Sequence, residues 1–429
     1  MQLNIPITQK KRILIAGGGF AGLKLATKLA NSNFQIVLID KNNFHQFQPL
    51  FYQVATAGLE PSAISFPLRK IFQRSDNVII RVAEILSLDY SAKEVVTSSG
   101  NINFDILVLA MGVTTNFFGM KHIAQNAIPM KSVAEALLLR NTILQNFEDA
   151  LIESDEEKQH SLLNIVVVGG GPTGVEVSGT LAEMKKYILP KDYPELDFRK
   201  MNIYLVEAGN RVLAGMTAES ARQAEKYLQK LGVNVLCNAQ VSDYDGGKVS
   251  IYNSIQIPTK TMVWAAGVSG KQIPGLDPEI YTKGNRIKVN AFNQVEGYND
   301  IFAIGDNALM LEEKYPDGHP QMAQPAIQQA KLLALNLKRK DKNLPMVPYR
   351  YFNKGSMATI GRNLAVVELP FVKFHGFFAW LTWMFVHLMA IVGIKNRLLI
   401  FINWFWNYVT YDQSLRLIIK PTKIGKDIE

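Results

Sequence analysis

The chain has 429 residues, 48% hydrophobic and 19% charged, with a net charge of +9. At about 150 residues per domain this gives two or three domains, and the composition excludes a disordered or fibrous chain. One cysteine, Cys237, excludes an internal disulfide, a CxxC redox pair and a Cys-based zinc or iron–sulfur centre, so redox chemistry here requires a bound organic cofactor.

Met1 to Lys11 contains no apolar run, so no secretory leader is expected. Residues 12–17 form a short apolar strand ending in glycine. They lead into Gly17-Gly18-Gly19-Phe20-Ala21-Gly22, a full GxGxxG, and a helix-forming stretch from Leu23. A second apolar strand, Gln35 to Ile39, ends in Asp40, 23 residues after Gly17. That is close to the roughly 20 residues expected between the first glycine and a ribose-binding acid. Gly17 permits the turn, Gly19 lets main chain approach a pyrophosphate, Gly22 lets helix and strand pack, and the helix start supplies positive dipole.

The pattern recurs 152 residues later. Asn164 to Val168 leads into Gly169-Gly170-Gly171-Pro172-Thr173-Gly174, and the next strand ends in Glu207. Two such units mean two dinucleotides, or one in use and one vestigial. The acidic stretch Glu153 to Glu157 before the second unit reads as a solvated linker. Apolar strands closing on Gly112 and Gly267 follow the two fingerprints by 95 and 98 residues, so the repeat spans whole domains. A further apolar strand, Asp300 to Ile304, ends in Gly305-Asp306. The histidines show no ligand spacing, and no metal site is expected.

The C-terminal segment is aromatic. Between Phe371 and Tyr411 there are 13 aromatic residues in 41 and three cations, Lys373, Lys395 and Arg397, without an acid. Phe377 to Ile394 is 18 residues without a formal charge, about 27 Å as a helix and short of a roughly 30 Å bilayer core. Trp and Tyr prefer the headgroup level. Helices lying in the interface, flanked by Lys395, Arg397, Arg416 and Lys420, fit better than a span. A buried dimer interface is the remaining alternative. The net positive charge reads as solubility or as attraction to an anionic lipid surface. Nucleic acid is not expected, since dense Lys/Arg runs and zinc-finger or RNP-like segments are absent.

The order GxGxxG, LVLAMG, GxGxxG, WAAGV, IGD resembles the two-dinucleotide-binding-domain, glutathione-reductase-like flavoproteins over residues 11 to about 310. The resemblance implies an α/β fold of two Rossmann-like domains plus a C-terminal amphipathic helical membrane-anchoring segment. The FAD-binding domain would span 1–120 and 290–345, the NADH-binding domain 121–289, and the C-terminal region 346–429. It implies FAD on Gly17 to Gly22, that is Gly17, Gly18, Gly19, Phe20, Ala21 and Gly22, with Asp40 at the FAD ribose and Lys41 beside it. Asp306 would meet the ribitol, next to Gly305, and Gly112 would belong to the same site. Val82 would meet adenine through its main chain, or be an ordinary strand residue. NADH would lie on Gly169, Gly171 and Gly174 with Glu207 and Gly267.

Phe47 to Thr56, the GGGPTGVE of the second unit and Ala323-Gln324-Pro325-Ala326-Ile327-Gln328-Gln329 together resemble the type II NADH:quinone oxidoreductases, from residue 11 to about 415. In that family the AQxAxQQ segment marks the quinone site. The resemblance puts Ala323 and Gln324 against the isoalloxazine, and Gln324 and Gln328 near the quinone. Pro325 suits a first helical position. Gln328 and Gln329 read equally as surface helix residues. Glu176 is implied near the nicotinamide as a catalytic acid alongside Gln324; the alternative is an acid stabilised by the helix start. Lys395 is the candidate for a cofactor-contacting lysine. The implied protein is a peripheral flavoenzyme, a homodimer, on the cytoplasmic face of the inner membrane, passing electrons from NADH through non-covalent FAD to a membrane quinone without pumping protons. The alternatives are an NADH-dependent ferredoxin reductase and an apoptosis-inducing-factor-like NADH-binding flavoprotein.

Overall fold

The computed structural model describes residues 1–252, 255–410 and 415–419. Tyr411 and Lys420, used above to frame the C-terminal segment, lie outside them. Helices α1 (Phe20–Leu29), α2 (Phe51–Ala55), α3 (Val133–Ile152), α4 (Glu156–Leu163), α5 (Pro172–Tyr187), α6 (Ala218–Leu231), α7 (Ala323–Asp341), α8 (Phe377–Ala390) and α9 (Ile394–Thr410) carry the architecture. The chain divides into two units: 1–46, 65–114 and 268–354 in the first, and 47–64, 115–267 and 355 onward in the second.

The first unit is built on a five-stranded parallel sheet in the order Ile301–Ala303, Ile106–Leu109, Arg12–Ala16, Gln35–Asp40, Val78–Val82. Its strands are near-continuous apolar runs because both faces are covered. Ile13, Leu14 and Ile15 are fully buried. The parallel register brings the carboxyl ends of these strands, and with them Gly17, Asp40 and Gly305, to one edge of the sheet, where doubly wound folds bind ligands.

The second unit repeats the plan. Its parallel sheet runs Ile128–Pro129, Thr261–Trp264, Ile165–Val168, Ile203–Val206, Val233–Leu236. In both sheets the closing strand lies beside the fingerprint strand. Each unit also carries a three-stranded antiparallel sheet, Ile85–Asp89 with Glu94–Thr97 and Gly100–Asn103, and Val241–Tyr244 with Lys248–Ile251 and Ile255–Pro258. The duplication therefore extends beyond the loops that reveal it.

This division differs from the one drawn from sequence. The second boundary falls at 267/268 rather than 289/290, and the segment beyond 354 joins the second unit instead of standing apart. The cause is a close approach. A Cβ on Gly179 of α5 would come within 1.6 Å of the Ile360 carbonyl oxygen, so the strand Ser356–Gly361 lies directly on α5. The stretch 47–64 likewise leaves the first unit, because α2 packs on α3 and α5. The acidic stretch before the second fingerprint is not simply linker: the Asp155 carboxylate caps α4, accepting from the N–H of Glu157 at 2.9 Å and of Lys158 at 3.1 Å.

The uncharged run from Phe377 breaks at Gly393, whose φ is +84°, leaving a helix of 14 residues and one of 17. Among the described residues no helix is long and apolar enough to cross a membrane. One side of the pair is buried, at Ala379, Trp383, Ile400 and Trp404. The other leaves Phe378, Phe385, Phe401, Phe405 and Trp406 more than half exposed.

Candidate functional site

In the first unit, Gly17 and Gly22 are demanded by the protein itself. Gly17 has φ +107°, and a Cβ there would meet the Ala110 oxygen at 2.3 Å; one on Gly22 would meet the Gly17 oxygen at 1.8 Å. Gly19 is different. A Cβ there would meet no protein atom within 4 Å, so its missing side chain serves whatever approaches from outside. Gly19 also begins α1 without a side-chain cap, whereas Ser132, Asp155 and Thr217 cap α3, α4 and α6. The start of α1 thus turns the positive end of its dipole, uncovered by a capping side chain, toward an anion.

Asp40 holds the adjoining turn. Its Oδ2 accepts from the Gly18 N–H and its Oδ1 from the Asn42 N–H, each at 2.7 Å, and each oxygen retains a lone pair for a ribose hydroxyl. His45, buried beneath this loop, donates Nδ1–H to the Gly18 carbonyl at 2.9 Å. Burial lowers its ring from the ordinary histidine value, against the Gly18 hydrogen bond and the Asp40 carboxylate. Lys41 is exposed, and Val82 ends its strand with an exposed side chain. Gly112, at φ +68°, faces open space.

Gly305, at φ +81°, turns the last sheet strand toward Asp306. Its N–H donates to Gln329 Oε1 at 2.7 Å, and Gln329 is buried, so the reading of Gln329 as a surface residue is corrected: it ties α7 to the Gly-Asp turn. Helix α7 begins at Ala323, placing Pro325 third in the helix rather than first, and it too starts without a side-chain cap. Gln324 accepts from the Lys354 N–H at 3.1 Å. Both ends of the Gln328 amide pair with the Phe352 main chain, at 2.9 and 3.1 Å. Two uncapped helix starts, a main chain open at Gly19 and an acid at each turn fit FAD.

The second unit repeats this geometry. A Cβ on Gly169 or Gly174 would clash with main chain, while one on Gly171, the uncapped start of α5, would meet nothing. Glu207 takes the pose of Asp40, its Oε2 accepting from Gly170 N–H and its Oε1 from Gly209 N–H, each at 2.6 Å. Gly267 packs under Phe118 and accepts from the Asn116 N–H at 3.0 Å. Arg211, the cation nearest in sequence to Glu207, spends Nη2 on the carbonyls of Ala214 and Met216. A 2′-phosphate would therefore meet the Glu207 carboxylate with no dedicated cation. The expected result is at least about a tenfold preference for NADH over NADPH in kcat/KM, about 1.4 kcal/mol, narrowed in Glu207→Ala. Equal kcat/KM for both in the unsubstituted protein would refute this role of Glu207.

Glu176 sits on α5 two residues past the fingerprint and is buried. Burial pushes its carboxyl up to about 8, against hydrogen bonding from the Thr359 main chain; the Trp383 indole N–H lies near without a fully formed bond. Next to it is a cavity of about 130 Å³ whose lining comes entirely from the second unit: Tyr52, Thr180, Glu183, Thr359, Arg362, Trp380, Trp383, Trp404 and Tyr408 among others. A dry cavity of roughly 150 Å³ admits a benzene ring, so this one is ring-sized. Its wall is a hydrogen-bonded chain: Trp404 Nε1–H donates to Gln53 Oε1 at 2.7 Å, and Gln53 Nε2–H to the Tyr52 hydroxyl at 2.8 Å. Trp383 stacks on His387 at 4.0 Å, and burial lowers that ring to about 4. Lys395 is exposed at the start of α9. Glu176 belongs to the second unit and Gln324 to the first. Tyr52, Gln53 and Glu183 went unassigned in the sequence, although Glu183 repeats the helical face of Glu176 seven residues on.

The pyridine nucleotide-disulphide oxidoreductase profile matches residues 11–330, and the NDH2 C-terminal domain profile matches 353–410. The chain is 34% identical to the type II NADH:quinone oxidoreductase Ndh of Mycobacterium tuberculosis, over 92% of this chain and 88% of that one. It is 30% identical to the mitochondrial internal alternative NAD(P)H-ubiquinone oxidoreductase A1 of Arabidopsis thaliana, over 94% and 84%. The structure of NDH2 from Plasmodium falciparum in complex with NADH superposes with a TM-score of 0.87 at 20% identity, covering 96% of this chain and all of that one. With both fingerprints, the Gly-Asp turn and the C-terminal domain accounted for over this length, the chain belongs to the type II NADH:quinone oxidoreductase family.

Proposed function

We infer that this chain passes two electrons from NADH, through FAD, to a membrane quinone without translocating protons. The observation that carries the quinone half is the ring-sized aromatic cavity in the second unit, roofed by α8 and α9 with apolar outer faces. A reductase of a soluble ferredoxin needs neither feature. FAD, when bound, supplies a carrier that accepts an electron pair from NADH and releases it to the quinone. The chain's own residues do the rest. Gly17 to Gly22 and Asp40 hold the dinucleotide end, Gly305 and Asp306 hold the ribitol turn, and the start of α7 at Ala323 and Gln324 directs positive dipole toward developing flavin charge. Glu207 selects the ribose of NADH. Glu176, neutral at pH 7, holds a proton beside the cavity wall. Lys373, Lys395 and Arg397 would face anionic lipid, on the cytoplasmic side where NADH is available, and the resemblance adds a homodimer.

Steady-state NADH oxidation by the purified flavoprotein with a short-chain quinone tests the reading. Turnover on the scale of seconds supports it, and ferredoxin reduction without quinone reduction overturns it.

Glu176→Gln separates holding a proton from occupying space. It should retain FAD while slowing quinone turnover about a hundredfold. It also has a stability signature. An acid raised from 4.5 to about 8 binds its proton more tightly when folded, so stability present below pH 4.5 is lost progressively as pH rises toward 8. The Gln variant escapes this loss. It should gain on the unsubstituted protein by about 3 kcal/mol at pH 7 and nothing at pH 4, in thermal melts. Equal pH dependence of the two melts would show that Glu176 is ionised.

A further inference from the structure

Two cavities of the second unit share a wall. The aromatic cavity is the inner one by its lining, since Tyr52, Thr180 and Trp383 are buried; the outer one, about 220 Å³, is lined by Glu183, Tyr187, Arg362 and Asn363, two leucines, and the exposed Lys186 and Lys230. Glu183, Tyr187 and Arg362 line both. Glu183 follows Glu176 by seven residues on α5, with Thr180 between them, so the three occupy one helical face. Its carboxylate accepts from the Arg362 N–H. Arg362 in turn donates to the Tyr408 carbonyl, and its guanidinium lies 4.0 Å over the Tyr408 ring. The acid is thus held at the partition by the turn between Ser356–Gly361 and Leu364–Glu368 and by the end of α9.

The reaction assigned above balances as NADH + H⁺ + quinone → NAD⁺ + quinol. NADH gives both electrons and one of the two hydrogens on the quinol; the second is a proton from solvent. Each turnover therefore moves one solvent proton into a site walled by aromatic side chains. We propose that Glu183 carries that proton, loading from the cationic outer cavity and delivering it into the inner one. The inference rests on the quinone-reducing function.

Groups of both signs face this carboxyl. On the outer side are Lys186 and Tyr187 of α5 and Lys230 of α6, and at the partition Arg362. On the inner side are Tyr52 of α2, Glu176 of α5 and Tyr408 of α9. Arg362 favours the ionised acid and burial the neutral one. Burial wins over the Arg362 hydrogen bond and places the carboxyl at about 7, where both forms are populated in neutral solution. Tyr52 feels both Glu176 and Glu183, which links the carrier to the acid beside the cavity.

Glu183→Gln tests this, since Gln still accepts from the Arg362 N–H and preserves any purely structural role. In the full-length flavoprotein, kcat with a short-chain quinone should fall about tenfold or more relative to the rate at which NADH reduces the same preparation. The fall of kcat with rising pH near 7 should disappear, and millimolar imidazole should restore part of the rate by carrying protons itself. Glu183→Asp should retain the pH limb. Unchanged kcat and pH limb in Glu183→Gln overturns the proposal. So do equal losses in the Gln and Asp variants without imidazole rescue, which would make the residue structural. If the unsubstituted protein reduces no quinone, the function itself is wrong, and that result is read before any variant is made.

Discussion

Gly19→Val should purify as a colourless protein. The φ of Gly19 is −70°, open to any residue, and the added side chain meets no protein atom within 4 Å at its Cβ, so the apoprotein should fold. What it blocks is main-chain approach to the pyrophosphate at the start of α1. Flavin per chain should fall from nearly full to below about a tenth, which takes a loss of about eightyfold in affinity, or about 2.6 kcal/mol of binding. Gly22→Val is the contrast. Its Cβ would lie 1.8 Å from the Gly17 oxygen, so that variant should fail to fold rather than fail to bind. A yellow Gly19→Val protein with full flavin would remove FAD from this loop.

The triple variant Phe378→Glu, Phe385→Glu, Phe405→Glu should leave the membrane while keeping its flavin. These rings are more than 60% exposed on α8 and α9, so they support no core. Burying each in lipid contributes about 1.5–3 kcal/mol, and losing three costs at least about 4.5 kcal/mol, or about three decades in partitioning. Deleting the helices is the poorer experiment, because Trp383 is fully buried over Tyr52 and Trp404 holds Gln53. Vesicle co-sedimentation measures the effect, with water-soluble quinone activity as the control. A variant that still sediments after a high-salt wash would place the anchor elsewhere.

What could be read from the sequence was what repeats or is locally encoded. Gly17, Gly19 and Gly22, Asp40 and their counterparts announce themselves by spacing, because turn, helix and strand follow each other within forty residues. The two sheets followed from the apolar runs. Gln329 and Glu183 were illegible for a different reason. Their roles depend on partners 24 and 179 residues away, Gly305 and Arg362, and no local pattern encodes such a meeting. The division into two units was hidden for a similar reason. Nothing in the composition of 47–64 says that this stretch serves the second unit, since the deciding fact is the packing of α2 on α3 and α5. The C-terminal helices were visible as a class but not in extent, because one glycine at φ +84° splits a run that hydropathy alone would join.

The outermost strand of the first sheet, Ile301–Ala303, has a consequence during synthesis. Its partner, Ile106–Leu109, leaves the ribosome almost two hundred residues sooner. At 5–20 residues per second the growing chain waits roughly 10 to 40 s before that strand can be paired. For this time an apolar four-residue edge, buried in the finished molecule, offers its free main-chain groups to any neighbouring nascent chain. The Gly-Asp turn that completes the flavin cradle arrives in the same late instalment. Yield in the cell should therefore depend on translation speed and chaperone supply between residues 110 and 306 more than on the stability of the mature protein.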